Sequence, residues 1–133
     1  MASTLELLIL AMLAEPPWIP LSLQAGWSNT GGGFVAAQYR LWPLSNELEI
    51  VGNVSHTAIV GGGTSIFAAS LVAPYLPAST QKRGAQCVIA PNVYASNTEG
   101  PFVVLPTSGA IQFQFLPVNV TQVEFHGFIP MDA

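Results

Sequence analysis

The chain has 133 residues, of which 50% are apolar and only 8% are charged. This length fits a single domain, and the apolar fraction excludes an intrinsically disordered chain. Three basic residues against seven acidic ones leave a net charge of −4. This charge excludes an electrostatic nucleic-acid binder, because such a protein needs clustered cations. A surface with so few charges must be covered by uncharged polar side chains or by other subunits.

The first predicted element is a short N-terminal helix. The apolar run Leu5–Leu13 follows Ser3 and Thr4, which are favoured N-cap residues, and it ends before two consecutive prolines. A transmembrane helix needs about 20 residues, and a signal peptide begins with basic residues that this sequence lacks. We therefore predict no membrane insertion and assign residues 1–17 to oligomerisation or attachment.

The apolar helix must pack against something, because an isolated helix of this length is marginal in water. Leu5, Leu8, Ile9 and Met12 recur at helical spacing and are the predicted interface residues. Two alternatives follow. The helix docks onto its own domain, or it forms a seam between identical subunits.

The rest of the chain has strand character. Short runs alternate apolar and polar residues with period two, and Gly-, Pro- and Asn-rich turns such as 96–101 separate them. The predicted strands are Phe34–Trp42, Glu47–Ala58, Thr64–Leu71, Gln86–Ala90, Phe102–Leu105, Ala110–Leu116 and Gln122–Phe128. We predict an all-β fold in which residues 18–133 form one antiparallel β-sandwich of about seven to eight short strands, preceded by the helix.

Histidine and cysteine are too sparse for a predicted metal or redox site. His56 and His126 are the only histidines, and Cys87 is the only cysteine. Glu124 shares a strand face with His126, but a single Glu-x-His pair is typical of a solvated strand. A lone cysteine within a strand indicates a buried structural thiol. We predict no metal, no cofactor and no disulfide.

No assembled catalytic constellation stands out either. Glu47 and Glu49 project to one face of a strand, a spacing that a glycosidase could use. Alternating polar residues are, however, what any solvent-facing strand shows, and that is the interpretation we favour. No nucleophile elbow or phosphate loop is present. The sequence therefore predicts no catalytic residue, and a protein that is not an enzyme.

Aromatic residues divide into two predicted groups. Phe113, Phe115, Phe125 and Phe128 lie in predicted strands and are predicted to lie in the core. Four others lie near strand ends or in loops, where their rings could stack on sugars, and are the candidate surface-binding residues: Tyr39, Trp42, Tyr75 and Tyr94. Core packing is the alternative for each of these four.

Several motifs, in their order and spacing, resemble a phage virion domain. They are Trp18–Asn29, Gly31–Phe34, Ala37–Arg40, Val103–Ile111 and Val123–Phe128. The domain is found at the ends of tail fibres and tail-tip proteins of tailed phages, especially those of actinobacterial hosts. The resemblance covers residues Trp18 to Pro130. It departs at Leu76, where a basic residue is common, and in the insert Ala90–Gly100.

The resemblance implies a small β-sandwich, usually a homotrimer, displayed on the exterior of a virion. Its implied partners are other tail or baseplate proteins and a glycan or protein of the host cell surface. The alternative is a purely structural virion component, such as a head fibre, a capsid decoration or a baseplate knob.

Overall fold

The computed structural model describes residues 3–60, 66–72, 74–89, 93–104, 108–113 and 120–132. The side chains of residues 11–13, 57–60, 66–67, 81–89, 93–103 and 120–121 lie outside this description. Predictions for Phe115 and for the side chains of Met12, Cys87 and Tyr94 therefore lie outside the described residues.

The N-terminal helix is present where it was predicted. Helix α1 spans Thr4–Leu13, and the Ser3 hydroxyl accepts a hydrogen bond from the backbone N–H of Glu6 at 3.1 Å. This contact is the N-cap expected of a serine at that position. The helix ends at Ala14, whose backbone is extended.

Ten strands follow in the part of the chain that the structure describes, and every paired strand is antiparallel. They are β1 (Ile19–Pro20), β2 (Ser22–Leu23), β3 (Trp27–Asn29), β4 (Gln38–Trp42), β5 (Glu47–Val60), β6 (Ile66–Ser70), β7 (Gln81–Ile89), β8 (Val93–Val104), β9 (Ala110–Phe113) and β10 (Val120–Pro130).

The strands are hydrogen-bonded in the order β1-β4-β5-β10-β7-β8-β9-β6-β2, with β3 added to β5. Strands β7, β8 and β9 are sequential neighbours, and β10 returns beside β7, which makes a Greek key. Strands β1 and β2 lie at opposite ends of this order, yet only the buried Leu21 separates them along the chain. This bent segment therefore joins the two ends and closes the sheet on itself.

The two halves of the closed sheet face each other across one core. The ring of Phe113 on β9 lies 5.6 Å from Phe125 on β10 and 5.3 Å from Trp27 on β3. The largest fully buried side chains are Phe113, Leu48, Ile50, Ile111, Ile129, Val54, Val104 and Val123. The predicted all-β antiparallel sandwich with a short N-terminal helix is confirmed. Strands β1, β2 and β3 raise the strand number above the prediction, because segments of two or three residues carry no periodicity.

The predicted turn at residues 96–101 is wrong, because β8 continues through it. Arg83 of β7 opposes Phe102 of β8, whereas Ala85 opposes Asn97, so the intervening residues form a bulge. Gly and Pro mark such bulges as well as strand ends. The predicted core position of Phe128 is also wrong, since its side chain is 44% exposed on the outer face of β10.

Gly109 has a close backbone approach that only glycine permits. Its φ is +70°, and an added Cβ would collide with the carbonyl oxygen of Leu71 and lie 2.7 Å from Leu76 Cδ2. Gly32 also has a positive φ, of +61°, but a Cβ added there would meet nothing within 4 Å. A substitution at Gly32 therefore causes backbone strain alone, whereas one at Gly109 adds a steric clash to that strain.

We expect Gly109→Ala to lower the free energy of unfolding by roughly 3 kcal/mol, because strain and a collision with backbone combine. Gly32→Ala should cost only about 1 kcal/mol, the strain of a left-handed alanine. Urea unfolding of both variants measures the difference. Equal losses would contradict the packing described for Gly109.

Candidate functional site

The most unusual feature of the sandwich is an ion pair buried on its outer face. Arg40 of β4 and Glu49 of β5 are cross-strand partners, and Arg40 Nε donates to Glu49 Oε1 at 2.8 Å. Arg40 is 8% exposed and Glu49 is 6% exposed. The interpretation of Glu49 as part of a solvated strand face is therefore wrong.

Glu49 accepts hydrogen bonds from side chains of three neighbouring positions. Oε1 also accepts from the indole Nε1 of Trp42 at 3.0 Å, and Oε2 contacts Nε2 of His126 at 2.7 Å. Burial raises the pKa of the Glu49 carboxyl, but the hydrogen bonds from Trp42, Arg40 and His126 outweigh burial and hold this pKa below its usual value. Glu49 is therefore a buried anion at neutral pH.

The guanidinium of Arg40 contacts two tryptophan rings. Its Cζ is 3.8 Å from the ring centre of Trp18 and 4.6 Å from that of Trp42, both within the range of cation–π attraction. Its NH1 group donates to the carboxylate of Glu15. Burial lowers the pKa of Arg40, but hydrogen bonds to Glu49 and Glu15 outweigh burial and raise it.

These contacts join three strands to the segment that follows α1. We use the name outer-face cluster for the following residues: Glu15, Trp18, Arg40, Trp42, Glu49 and His126. The cluster covers the part of the sheet where β4, β5 and β10 lie side by side. Its two carboxylates, those of Glu15 and Glu49, both contact the guanidinium of Arg40. The cluster therefore attaches the segment after α1 to the sheet.

A second polar group continues along the outer face of β5. Asn53 is buried, and its Oδ1 accepts from the Thr30 hydroxyl at 2.6 Å and from Gln122 Nε2 at 2.7 Å. Its Nδ2 has no hydrogen-bond partner among the described residues. The backbone N–H of Asn53 also donates to the carbonyl of Val35. The loop after β3 therefore covers this part of β5 and excludes water from it.

The four candidate surface aromatics have different environments. Tyr39 is 4% exposed and lies in the core, with its ring 5.0 Å from that of Tyr75, so Tyr39 is removed from the candidates. Burial, and secondarily the nearby Tyr75, raise the pKa of Tyr39. Tyr75 is partly buried against the core, and Trp42 is partly buried in the outer-face cluster. The side chain of Tyr94 lies outside the described residues.

The helix α1 does not dock onto its own domain over residues 3–10, so that alternative is wrong for this part. Every side chain there is exposed, including those of the predicted interface residues Leu5, Leu8 and Ile9. Leu7 and Leu10 are exposed as well, at 58% and 60%. The helix is thus apolar on all sides, and nothing within the described part of the chain covers it. No helix among the described residues is long and apolar enough to cross a membrane.

The two histidines lie apart and in different surroundings. His126 contacts Glu49, whereas the His56 ring lies 4.8 Å from the Trp27 ring. Glu124 is exposed on β10 and has no part in the outer-face cluster. Among the residues that the structure describes, no three His, Cys, Asp or Glu side chains form a group that could hold a metal ion.

Sequence reasoning missed the Arg40–Glu49 pair, although a signal for it exists. The four residues Pro43–Asn46 read as a tight turn, and a four-residue hairpin loop aligns Leu41 with Leu48 and hence Arg40 with Glu49. Opposite charges directly across an antiparallel pair indicate an ion pair. The contacts with Glu15, Trp18 and His126 have no such local signal.

Comparison with known proteins adds no relative. No family model matches the chain, and neither the curated proteins nor the solved structures contain a match.

Replacing Glu49 tests the buried pair directly. We expect Glu49→Gln to lower the free energy of unfolding at pH 7 by roughly 3 kcal/mol, because Arg40 would remain buried with only the exposed Glu15 as its anion. Glu47→Gln, two residues along the same strand, removes the same charge and is the control. Urea unfolding provides both values, and similar losses for the two variants would contradict the account.

The stabilisation by Glu49 should depend on pH. Because the folded-state pKa lies below the usual value, the contribution is complete above about pH 5 and is lost as the pH falls below about 4. The stability difference between the wild type and Glu49→Gln should shrink over that range. A difference that stays constant from pH 7 to pH 3 would show that Glu49 is not the anion described.

Proposed function

We propose that this chain is a virion protein of a tailed phage. In this proposal it is a homotrimeric tail-fibre or tail-tip domain that contacts the host cell surface without catalysis. The proposal is supported by the resemblance over residues Trp18 to Pro130. The closed antiparallel sandwich also agrees with the kind of fold that the resemblance implies.

The observation that carries the proposed assembly is the uncovered apolar helix. Five large aliphatic side chains of α1 are between 47% and 65% exposed: Leu5, Leu7, Leu8, Ile9 and Leu10. A helix that is apolar all round is stable in water only when other elements cover it. The segment also lacks the Lys and Arg residues with which surface helices bind anionic lipid. Identical subunits and neighbouring virion proteins are therefore the partners that we propose.

A host-surface contact is supported by the loop between β3 and β4. Phe34 is 44% exposed and Val35 is 50% exposed, directly after three glycines that all have positive φ. Exposed apolar side chains on a tight loop are suited to contact a partner. Three copies of such a loop would combine weak contacts into useful avidity.

The alternative proposal is a purely structural virion component with no receptor role. Two observations favour it: Tyr39 lies in the core, and Trp42 donates its indole N–H to Glu49. Neither ring is thus a free platform for a sugar. Binding to cells, rather than the oligomeric state, distinguishes the two proposals.

The assembly is tested by light scattering on the purified chain. We expect a mass three times the 14.0 kDa of one chain, and we expect Leu8→Asp to reduce it while the β-sheet circular dichroism is retained. Leu44→Asp is the matched control, because Leu44 is 61% exposed in the turn between β4 and β5. A monomeric wild type, or dissociation by Leu44→Asp alone, would contradict assembly through α1.

The host contact is tested with fluorescently labelled protein and a panel of actinobacterial cells. We expect saturable binding to susceptible strains and at least a tenfold loss of affinity in Phe34→Ala. Leu44→Ala, a change of similar size at an exposed turn, should bind as the wild type does. Trimers that bind no strain would favour the purely structural role.

A further inference from the structure

The segment between the helix and the sandwich is attached at one place that no sequence pattern indicated. The backbone is extended at Ala14, and residues 15–17, two of which are prolines, follow without regular secondary structure. Glu15 and Trp18 then both contact Arg40. We call residues 14–18 the arm.

We propose that the outer-face cluster is a clamp that holds the arm against the sandwich, and so fixes where α1 leaves it, and that the clamp releases the arm in acid. Arg40 is the positioning residue of the clamp, and Glu15 and Trp18 are the groups that it holds. The proposal goes beyond the proposed function, since it stands whatever surface α1 contacts.

Arg40 is suited to this role because its orientation is determined from the sheet side. The bond from Nε to Glu49 fixes the plane of the guanidinium, and the Trp42 ring lies against it. The remaining part of the group is then presented to the arm, where Trp18 stacks and Glu15 accepts from NH1. A planar cation offers stacking and directed hydrogen bonds at once, which the ammonium of lysine does not.

The arm in turn keeps water from the buried pair. Trp18 lies 3.8 Å from the guanidinium carbon, and Arg40 is only 8% exposed with the arm in place. Ion pairs and cation–π contacts are stronger where water is excluded. Arm binding and the Arg40–Glu49 bond therefore support each other.

Acid acts on this clamp through Glu49. The charged or titratable groups that face it are Arg40 from β4 and His126 from β10, while Glu15 reaches the cluster from the arm. Protonation of Glu49 removes the anion that orients Arg40, so the face presented to Trp18 is lost. Because three donors favour the ionised carboxylate, release requires a pH below the usual range of glutamate.

Two signals in NMR spectra of the full chain report the clamp. One is the nuclear Overhauser effect between the Trp18 ring and the Arg40 side chain, and the other is the Trp42 indole N–H, which donates to Glu49. At pH 7 we expect both. As the pH falls below the usual pKa of glutamate, about 4.3, we expect the Trp18–Arg40 signal to be lost progressively, while cross-strand signals between Val54 and Val123 persist.

Variants separate the arm from the buried pair. Glu15→Gln and Trp18→Leu change only the arm. Both should weaken the contact between the side chain at position 18 and Arg40, while the Trp42 indole signal remains. Arg40→Lys keeps the charge but should also lose the arm. Glu49→Gln should lack the Trp18–Arg40 signal already at pH 7, so acid has no signal to remove. Glu124→Gln changes an exposed carboxylate on β10 and should behave as the wild type does.

Two results would overturn the clamp. One is a Trp18–Arg40 signal that keeps its pH 7 intensity after acid has protonated Glu49, as the carboxyl carbon shift reports, with the sheet intact. The other is an arm whose amides are as rigid in Glu15→Gln and Trp18→Leu as in the wild type, which would mean that other contacts hold it. Measured in the Leu8→Asp variant as well as in the wild type, both readouts distinguish failure of the clamp from failure of the proposed assembly.

Discussion

The carboxylate of Glu49 imposes the strongest local constraint on the outer face of this sandwich. An anion that is only 6% exposed must be compensated by charge and by hydrogen bonds, or the folded state would protonate it. Arg40, Trp42 and His126 supply these contacts from β4 and β10. Buried Arg40 then needs partners of its own, and it finds them in the arm that leads from α1. A single buried charge thus connects three strands with the N-terminal segment.

Closure of the sheet explains why the core forms without any contribution from the described side chains of α1. The bend at Leu21 joins the first and last strands of the hydrogen-bonded order, so the inner faces of the sheet bury one another. Phe113 and Phe125 meet in that interior. The interior is filled, and the arm and the loop at Val35 cover the outer face of β5, so α1 stands apart from the described part of its own domain over residues 3–10. Its aliphatic side chains are left to other molecules.

Aromatic residues in this chain do more structural work than their positions in the sequence indicate. Tyr39 packs in the core, Trp27 packs on Phe113, and Trp18 and Trp42 enclose a cation. The exposed apolar side chains lie elsewhere, on α1 and in the loop that contains Phe34. The proposed assembly and host contact therefore involve different parts of the chain, and variants can separate them.

Much of the fold follows from local sequence, for physical reasons that act within a few residues. The Ser3 cap, the apolar run and the prolines after it determine α1, and period-two alternation determines which side chains of β5 and β10 share a face. The turn at Pro43–Asn46 also contains enough information to pair Arg40 with Glu49.

Only the tertiary structure decided what covers each face. Alternation places Glu49 and Asn53 opposite the core side chains, but it cannot show that the arm and the loop at Val35 close over them. The same limit applies to residues 98–101, where Gly and Pro form a bulge within β8. Burial depends on segments that are distant in sequence, and local periodicity carries no information about them. The low charge of the chain was visible from its composition, whereas the burial of one of its few cations was decided by the fold.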